Sequence, residues 1–436
     1  MEKNIIYWNP WWNKSYEPKD IVDRIEYNNI KKLMNRNESI FLTGIRRCGK
    51  TTAMYYLIDN LLEDNILPEN ILYINLDDEI LKYEKLEDIY QKYKTLFPKV
   101  QDKIYIFLDE VQNITDWQRW VKNKYDSNEN IKFIITGSKS HILKSERETL
   151  LTGRMFEIEF FPFSFKEMLS FNKIDFFNKV ELTNNENVIK NSFLKYLEYG
   201  GFPEVLFEED DDMKYLILKE YFKNIRNKDI INYFGIKQIK KFEKLTIFLI
   251  SNLGKYYSAN KIGKVIDLSP SVVEDYIDYS NLVYLFIPLL KFDYSVKKQL
   301  INQKKIYTID TGFVNAISFK FSENKGSLLE NLVFIELKRQ NKEIYYHKQK
   351  KECDFVIKEG LDIVQAIQVT NHMSNDDTRK REFEGLLDAC KAYNLKEGLM
   401  LTQDEEGKEI RELKLENGEK REVKIIIKPI WKWLLE

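Results

Sequence analysis

Eight residues near the N-terminus, Gly44, Ile45, Arg46, Arg47, Cys48, Gly49, Lys50 and Thr51, fit the pattern G-x-x-x-x-G-K-[ST] in full. The chemistry dictates that spacing. Glycines let the backbone curl until several N–H groups point inward, and a following helix adds the positive end of its dipole. Lys50 then reaches the β- and γ-phosphates of a nucleoside triphosphate, and the Thr51 hydroxyl ligates Mg²⁺. Thr52 completes the candidate nucleotide-binding set. The flanks agree, with the apolar SIFL before the loop and the helical TTAMYYLIDNLLED after it. The bland alternative is a turn with a surface lysine. A second stretch, IYIFLDEV, weighs against it, because Asp109 and Glu110 end an apolar strand 59 residues after Lys50. An Asp there can hold the Mg²⁺ and the next Glu can polarise an attacking water. Gln112 either orients that Glu or is a solvated loop residue.

These residues need a sheet to hold them. IFLTG, ILYINLDD, IYIFLDEV and FIITGSKS are short apolar runs separated by helical stretches, the pattern of buried parallel strands in an α/β domain. Residues 1–160 form this core. Residues 161–235 read as helical, residues 236–318 as helix, helix–turn–helix and hairpin, and residues 319–436 as a second α/β region. The 436 residues exceed one core, and 43% hydrophobic with 31% charged residues marks a globular chain. Net charge is −1, which offers phosphate no general positive field. The apolar runs are strand-sized and no signal peptide is evident, so no membrane association is expected. Three cysteines without paired spacing point to a reducing compartment, the cytoplasm, and exclude a Cys-based zinc site. His141, His347 and His372 show no ligand spacing. Cys48 is an oxidisable thiol or a small filler. Trp11 and Trp12 either pack inward or stack on a base.

Ser138 ends the strand of the fourth run, where it senses a γ-phosphate or caps a helix. LTGRMFEIEFFPFSFKEML comes next. The order P-loop, Asp-Glu, Gly-Ser, Gly-Arg and F-P-F-S-F-x-E resembles the AAA+ superfamily. More closely, it resembles the archaeal and bacterial ATPase family that joins this core to a winged helix and a C-terminal nuclease-like domain. That resemblance implies an AAA+-like parallel sheet, a helical lid, ATP and Mg²⁺ as cofactors, and an arginine finger at Arg154. Such a finger serves a neighbouring copy in a homo-oligomer; the alternative is an ion pair within its own subunit. One departure stands out. The lid carries Gly200 and Gly201 in EYGGFPEVL but no second sensing arginine.

The helix expected to read DNA, SPSVVEDYIDYSNL, carries Glu274, Asp275 and Asp278 and no basic residue. Basic residues lie on the preceding helix (Lys255, Lys261, Lys264) and in the expected wing (Lys297, Lys298, Lys304, Lys305), where contact with DNA backbone remains an option. The C-terminal region resembles the PD-(D/E)XK nuclease fold. Glu330 lies on a helix, Asp354 on a hairpin, and Gln368 and Thr370 stand where active members carry Glu-x-Lys. A lost carboxylate and a lost lysine imply a depleted cutting site. Lys348, Lys350 or Lys351 could supply a migrated lysine, and Arg379, Lys380 and Arg381 could still touch phosphate. The expected protein is a Mg²⁺-dependent ATPase whose C-terminal half acts on DNA. Its rivals are a nucleotide-gated switch for a protein partner, an ATP-dependent nuclease, and a nucleotide-binding module that does not hydrolyse.

Overall fold

The apolar runs near the N-terminus become strands closed over on both faces. A computed structural model describes residues 1–13, 16–17, 21–100, 102–127, 129–137, 150–318, 325–373, 375–414 and 420–436. The chain divides into two compact units, Met1–Phe161 and Pro162–Glu436.

In the first unit, β1 (Ser39–Gly44), β2 (Ile71–Asn75), β3 (Ile104–Asp109), β4 (Ile131–Thr136) and β5 (Met155–Phe160) form one parallel sheet in the order β2-β3-β4-β1-β5. β1, β3 and β4 are buried along their whole length, so their uninterrupted apolar character is a packing requirement. Helices α1 (Glu2–Trp8), α2 (Ile25–Met34), α3 (Lys50–Glu63), α4 (Leu86–Leu96) and α5 (Trp117–Asp126) accompany the strands. This is the P-loop AAA+-type α/β sheet expected from the sequence. Its edge strand β2 is covered by the N-terminal segment. The Asn9 side chain donates to the Tyr73 carbonyl (2.8 Å) and accepts from the Tyr73 N–H (2.7 Å), and both the Trp11 and Trp12 indoles donate to the Ile71 carbonyl. Trp12 also stacks on Tyr93. These tryptophans pack inward and are not a base-stacking platform.

The second unit opens with helices: α6 (Phe165–Phe171), α7 (Lys179–Asn184), α8 (Glu186–Tyr199), α9 (Pro203–Phe207) and α10 (Asp211–Asn224). The S-F-x-E part of the sequence motif is a capping box, in which Ser164 and Glu167 satisfy each other's backbone N–H groups. Gly200 (φ +77) packs where a Cβ would fall 1.8 Å from Asp310 Oδ1, and Gly201 N donates to Asp310 Oδ2 at 2.7 Å. The Gly-Gly pair therefore serves close packing against this aspartate. Then come α11 (Ile239–Ile250), β6 (Tyr256–Tyr257), α12 (Ala259–Ile266), α13 (Pro270–Leu282), β7 (Phe286–Leu289), α14 (Val296–Ile301) and β8 (Lys304–Thr308). The three strands pair antiparallel in the order β6-β8-β7. In place of the hairpin that the sequence suggests, the connection from β7 to β8 holds the short helix α14.

After α15 (Thr311–Ile317), α16 (Lys325–Arg339) leads into a mixed six-stranded sheet. Its strands β9 (Glu343–Lys348), β10 (Glu352–Glu359), β11 (Asp362–Thr370), β12 (Glu397–Thr402), β13 (Gly407–Lys414) and β14 (Lys420–Pro429) take the order β13-β14-β12-β11-β10-β9. The helix α17 (Asp376–Ala392) joins β11 to β12, which run parallel, and α18 (Ile430–Trp433) closes the chain. Among the described residues no helix is long and apolar enough to cross a membrane.

Candidate functional site

The loop from Gly44 to Thr51 leaves the end of β1 and enters α3, so strand, loop and helix follow as the pattern requires. Gly44 (φ +138) lies against β5, where a Cβ would come within 2.2 Å of the Phe160 carbonyl oxygen. No other residue fits there without displacing β5. Lys50 is buried, and its ammonium donates to the carbonyls of Gly44 and Ile45 at 3.0 Å each. Ile45 and Cys48 are buried, Arg46 is half-buried, and Arg47 and Thr52 are exposed. Burial pushes the Cys48 thiol up, which makes it a filler and not a reactive thiolate.

The structure brings Thr51 and Asp109 together. The Thr51 hydroxyl donates to Asp109 Oδ2 at 2.8 Å, and Tyr73 donates to the same oxygen at 2.7 Å. Thr136 donates to Asp109 Oδ1. Burial, reinforced by the charge of Glu110, raises the Asp109 carboxyl above its ordinary value, and the three hydroxyls oppose that shift. Glu110 has left-handed backbone (φ 58), which a non-glycine residue adopts at some energetic cost. Its N–H donates to Thr136 Oγ1 at 2.9 Å, and the Gln112 amide holds its Oε2. Gln112 thus orients the glutamate.

Arg24 is a residue of this site that the sequence did not single out. It is buried, donates to the Cys48 carbonyl inside the loop (3.1 Å) and to the Phe161 carbonyl after β5 (2.8 Å), and pairs with Glu26 (3.3 Å). It ties the loop to the end of the sheet. No motif signals it, and neither do Tyr73 and Thr136, which are ordinary strand residues until the fold places them.

Arg154 is elsewhere. It immediately precedes β5, whose Met155 aligns with Ser39 at the start of β1, whereas the loop leaves the far end of that strand. Five residue steps place the two about 17 Å apart along the strand. Arg154 instead pairs with Asp126 through Nε (2.8 Å) and Nη2 (3.4 Å) on a half-exposed surface. Ser138 and His141 lie outside the described residues.

The second acidic site forms in the other unit and includes Lys305, Glu352 and Glu382, which the sequence did not single out for it. Glu330 on α16 and Asp354 on β10 do come together, but the lysine between them is Lys305 of β8. Its ammonium lies 2.9 Å from Glu330 Oε1, 3.1 Å from Asp354 Oδ1 and 2.8 Å from Glu352 Oε1. Only 1% of Lys305 is exposed, so it is no phosphate contact of a wing. Gln368 donates to Asp354 Oδ2 (2.8 Å) and Glu382 Oε2 (2.6 Å). Thr370 is buried, and its hydroxyl faces the His372 carbonyl at 3.5 Å. Burial and the neighbouring Asp354 push Glu330 up to about 7 despite Lys305 and Tyr307. Burial works against the charge on Lys305, but Glu330, Tyr307, Asp354 and Glu352 together raise it well above the ordinary lysine range. Among the described residues, no three His, Cys, Asp or Glu groups form a set that could hold a metal ion.

The other expected lysines are engaged differently. Lys351 pairs with Glu384 (2.7 Å), and Lys348 approaches Glu352 (3.7 Å). Arg379 and Arg381 pair with Glu409 and Glu382, and both Lys380 and Arg381 are exposed. Lys304 pairs with Glu274 on α13 (3.2 Å).

An AAA domain family model matches residues 36–169, and models of two domains of unknown function match residues 190–324 and 325–417. The chain is 32% identical over 436 residues to the "Uncharacterized protein MJ1544" of Methanocaldococcus jannaschii, covering 95% of this chain and 94% of that one. It is 30% identical over 356 residues to an "Uncharacterized protein" of Haemophilus influenzae, covering 79% and 86%. Among solved structures it is similar to the Aeropyrum pernix ORC1 protein in complex with DNA, at a TM-score of 0.32 and 12% identity, over 71% of this chain and 95% of that one.

Proposed function

This chain belongs to the family of the archaeal protein MJ1544 and carries an AAA domain, and on that premise we propose that it binds and hydrolyses ATP with Mg²⁺. One observation carries the reading: the Thr51 hydroxyl and the Asp109 carboxylate meet at 2.8 Å beside a buried Lys50. A hydroxyl and a carboxylate are hard oxygen donors that suit Mg²⁺, which takes its remaining ligands from water and phosphate. Thr51 and Asp109 would hold that ion, which offsets phosphate charge when bound. The backbone N–H groups of the loop cradle phosphate oxygens, and Lys50 exchanges two carbonyl partners for them. Glu110, held through Oε2 by Gln112, keeps Oε1 to accept the proton of the attacking water. Arg154 acts in a neighbouring copy, since about 17 Å of strand separates it from its own loop.

Steady-state ATP turnover tests the reading. Lys50→Ala and Glu110→Gln should each abolish it, and a wild-type rate in either would sink the assignment.

We further assign residues 161–235 as a helical lid, 236–318 as a winged helix and 319–436 as a nuclease-like domain. The element order α11-β6-α12-α13-β7-α14-β8 supports the winged helix, with α14 set into the wing. Contact with DNA backbone falls to the exposed Lys255, Lys261, Lys264, Lys297 and Lys298. A second reading, a nucleotide-gated switch acting on a protein partner, is favoured by the pairing of Glu274 with Lys304 and of Arg379 and Arg381 with acids. Salt-dependent binding to duplex, single-stranded and branched DNA separates the two. No binding to any of them leaves the switch.

A further inference from the structure

The acidic cluster of the second unit is complete in an unexpected way. Its carboxylate oxygens are engaged almost one by one. Glu330 Oε1 receives Lys305 and the Tyr307 hydroxyl (2.6 Å). Asp354 Oδ1 receives Lys305, while Oδ2 receives the Gln368 amide (2.8 Å) and the Val369 N–H (3.0 Å). Glu352 Oε1 receives Lys305. The ammonium thus sits at the point where three acids from α16 and β10 converge, and it arrives on β8, a strand of the other sheet. A Mg²⁺ ion ligated by these acids would need their oxygens at about 2.0–2.1 Å around the same point, so ion and ammonium exclude each other.

We infer that Lys305 is the built-in cation of this cluster: it occupies the place of a divalent metal, positions Glu330, Glu352 and Asp354, and fastens the β6-β8-β7 sheet to the six-stranded sheet as an ionic lock that neither binds metal nor cuts nucleic acid. The position of Tyr307 fits the same role. It lies two residues after Lys305, on the same face of β8, and reaches the same Glu330 oxygen. The lock operates whether or not the first unit hydrolyses ATP, so each reading fails alone.

The test uses the full chain without nucleotide. Lys305→Met keeps the bulk and the packing and removes the charge, leaving three converging carboxylates uncompensated. It should lower the unfolding temperature by about 10 °C. Adding Glu330→Gln and Asp354→Asn to Lys305→Met should restore most of that loss, which a purely steric role for Lys305 would not produce. If Lys305→Met does not fold, the triple variant must still yield folded protein. In the wild type, neither MgCl₂ nor MnCl₂ should give plasmid cleavage or a thermal shift that Asp354→Asn removes. A Lys305→Met protein as stable as wild type, or a triple variant no better than the single one, overturns the proposal. So does metal-dependent cutting lost in Asp354→Asn, which would make Lys305 a catalytic lysine.

Discussion

Two buried lysines, Lys50 and Lys305, lie one in each candidate site, and their partners give them opposite uses. Lys50 rests on two backbone carbonyls, at 3.0 Å each. Those partners carry partial charges, so a phosphate oxygen with full charge can take the ammonium from them. Lys305 rests on three carboxylates. An incoming phosphate there would meet a cation already overbalanced by negative charge. One lysine is available for exchange and the other is fully occupied. Residue type alone does not separate an exchangeable lysine from a locked one; the charge of the partners does.

The comparison can be broken most directly at Lys50. Lys50→Ala should lower ATP turnover by at least about 100-fold while leaving the thermal stability of the chain nearly unchanged. A large stability loss instead would mean that this lysine holds the fold together much as Lys305 does. Glu110→Gln should cost turnover on a similar scale while keeping nucleotide affinity, measured by fluorescent ATP-analogue binding. Gln112→Ala should give a smaller fall, about tenfold in kcat with KM unchanged, because it frees the glutamate without removing it.

The locked site is sharpened by pH. Glu330 and Asp310 each hold a proton in the folded state up to about 7, in both cases mainly through burial. Unfolded carboxyl groups release theirs near 4. Between those limits the folded chain binds more protons, so stability falls as pH rises from about 4 to 7 and levels off above that. Urea midpoints at pH 5 should exceed those at pH 8, and Glu330→Gln should shrink the difference. A slope that Glu330→Gln leaves intact would remove Glu330 from the balance. The smallest effect belongs to Arg154. Arg154→Ala should cost less than about 1 kcal/mol of stability, as exposed ion pairs do. If it lowers turnover only at concentrations where the chain self-associates, Arg154 acts between copies. A uniform rate loss at all concentrations would argue against that role.

Much of the first site was legible because its residues are adjacent in sequence or tied to one strand end. The loop pattern, the Asp109–Glu110 pair and the apolar runs need only local spacing. Arg24, Tyr73 and Thr136 were not legible, since each reaches the site through a fold contact with no local signature. The second site shows the limit more sharply. Strand alternation in KKIYT puts one of the two lysines inward without saying which, and the expected solvent-facing wing made both look like surface charges. The structure sends Lys304 to Glu274 and Lys305 into the acids. Only the pairing of β8 with β6 and β7, together with the placement of α16, decides between them. Gln368 and Thr370 are visible in the sequence as departures from Glu-x-Lys. Lys305, the cation of the same site, lies more than sixty residues earlier, on β8.

The side chain of Asn9 mimics a peptide unit against Tyr73, and two indoles occupy the next carbonyl of β2. The first dozen residues therefore work as a hem, finishing a sheet that would otherwise offer its backbone to another chain. A protein cut back to Ile21 keeps every nucleotide-handling group named above, yet its raw edge invites strand-to-strand pairing. Self-association measured on such a fragment would report that edge and not the arginine-mediated assembly proposed for the whole chain.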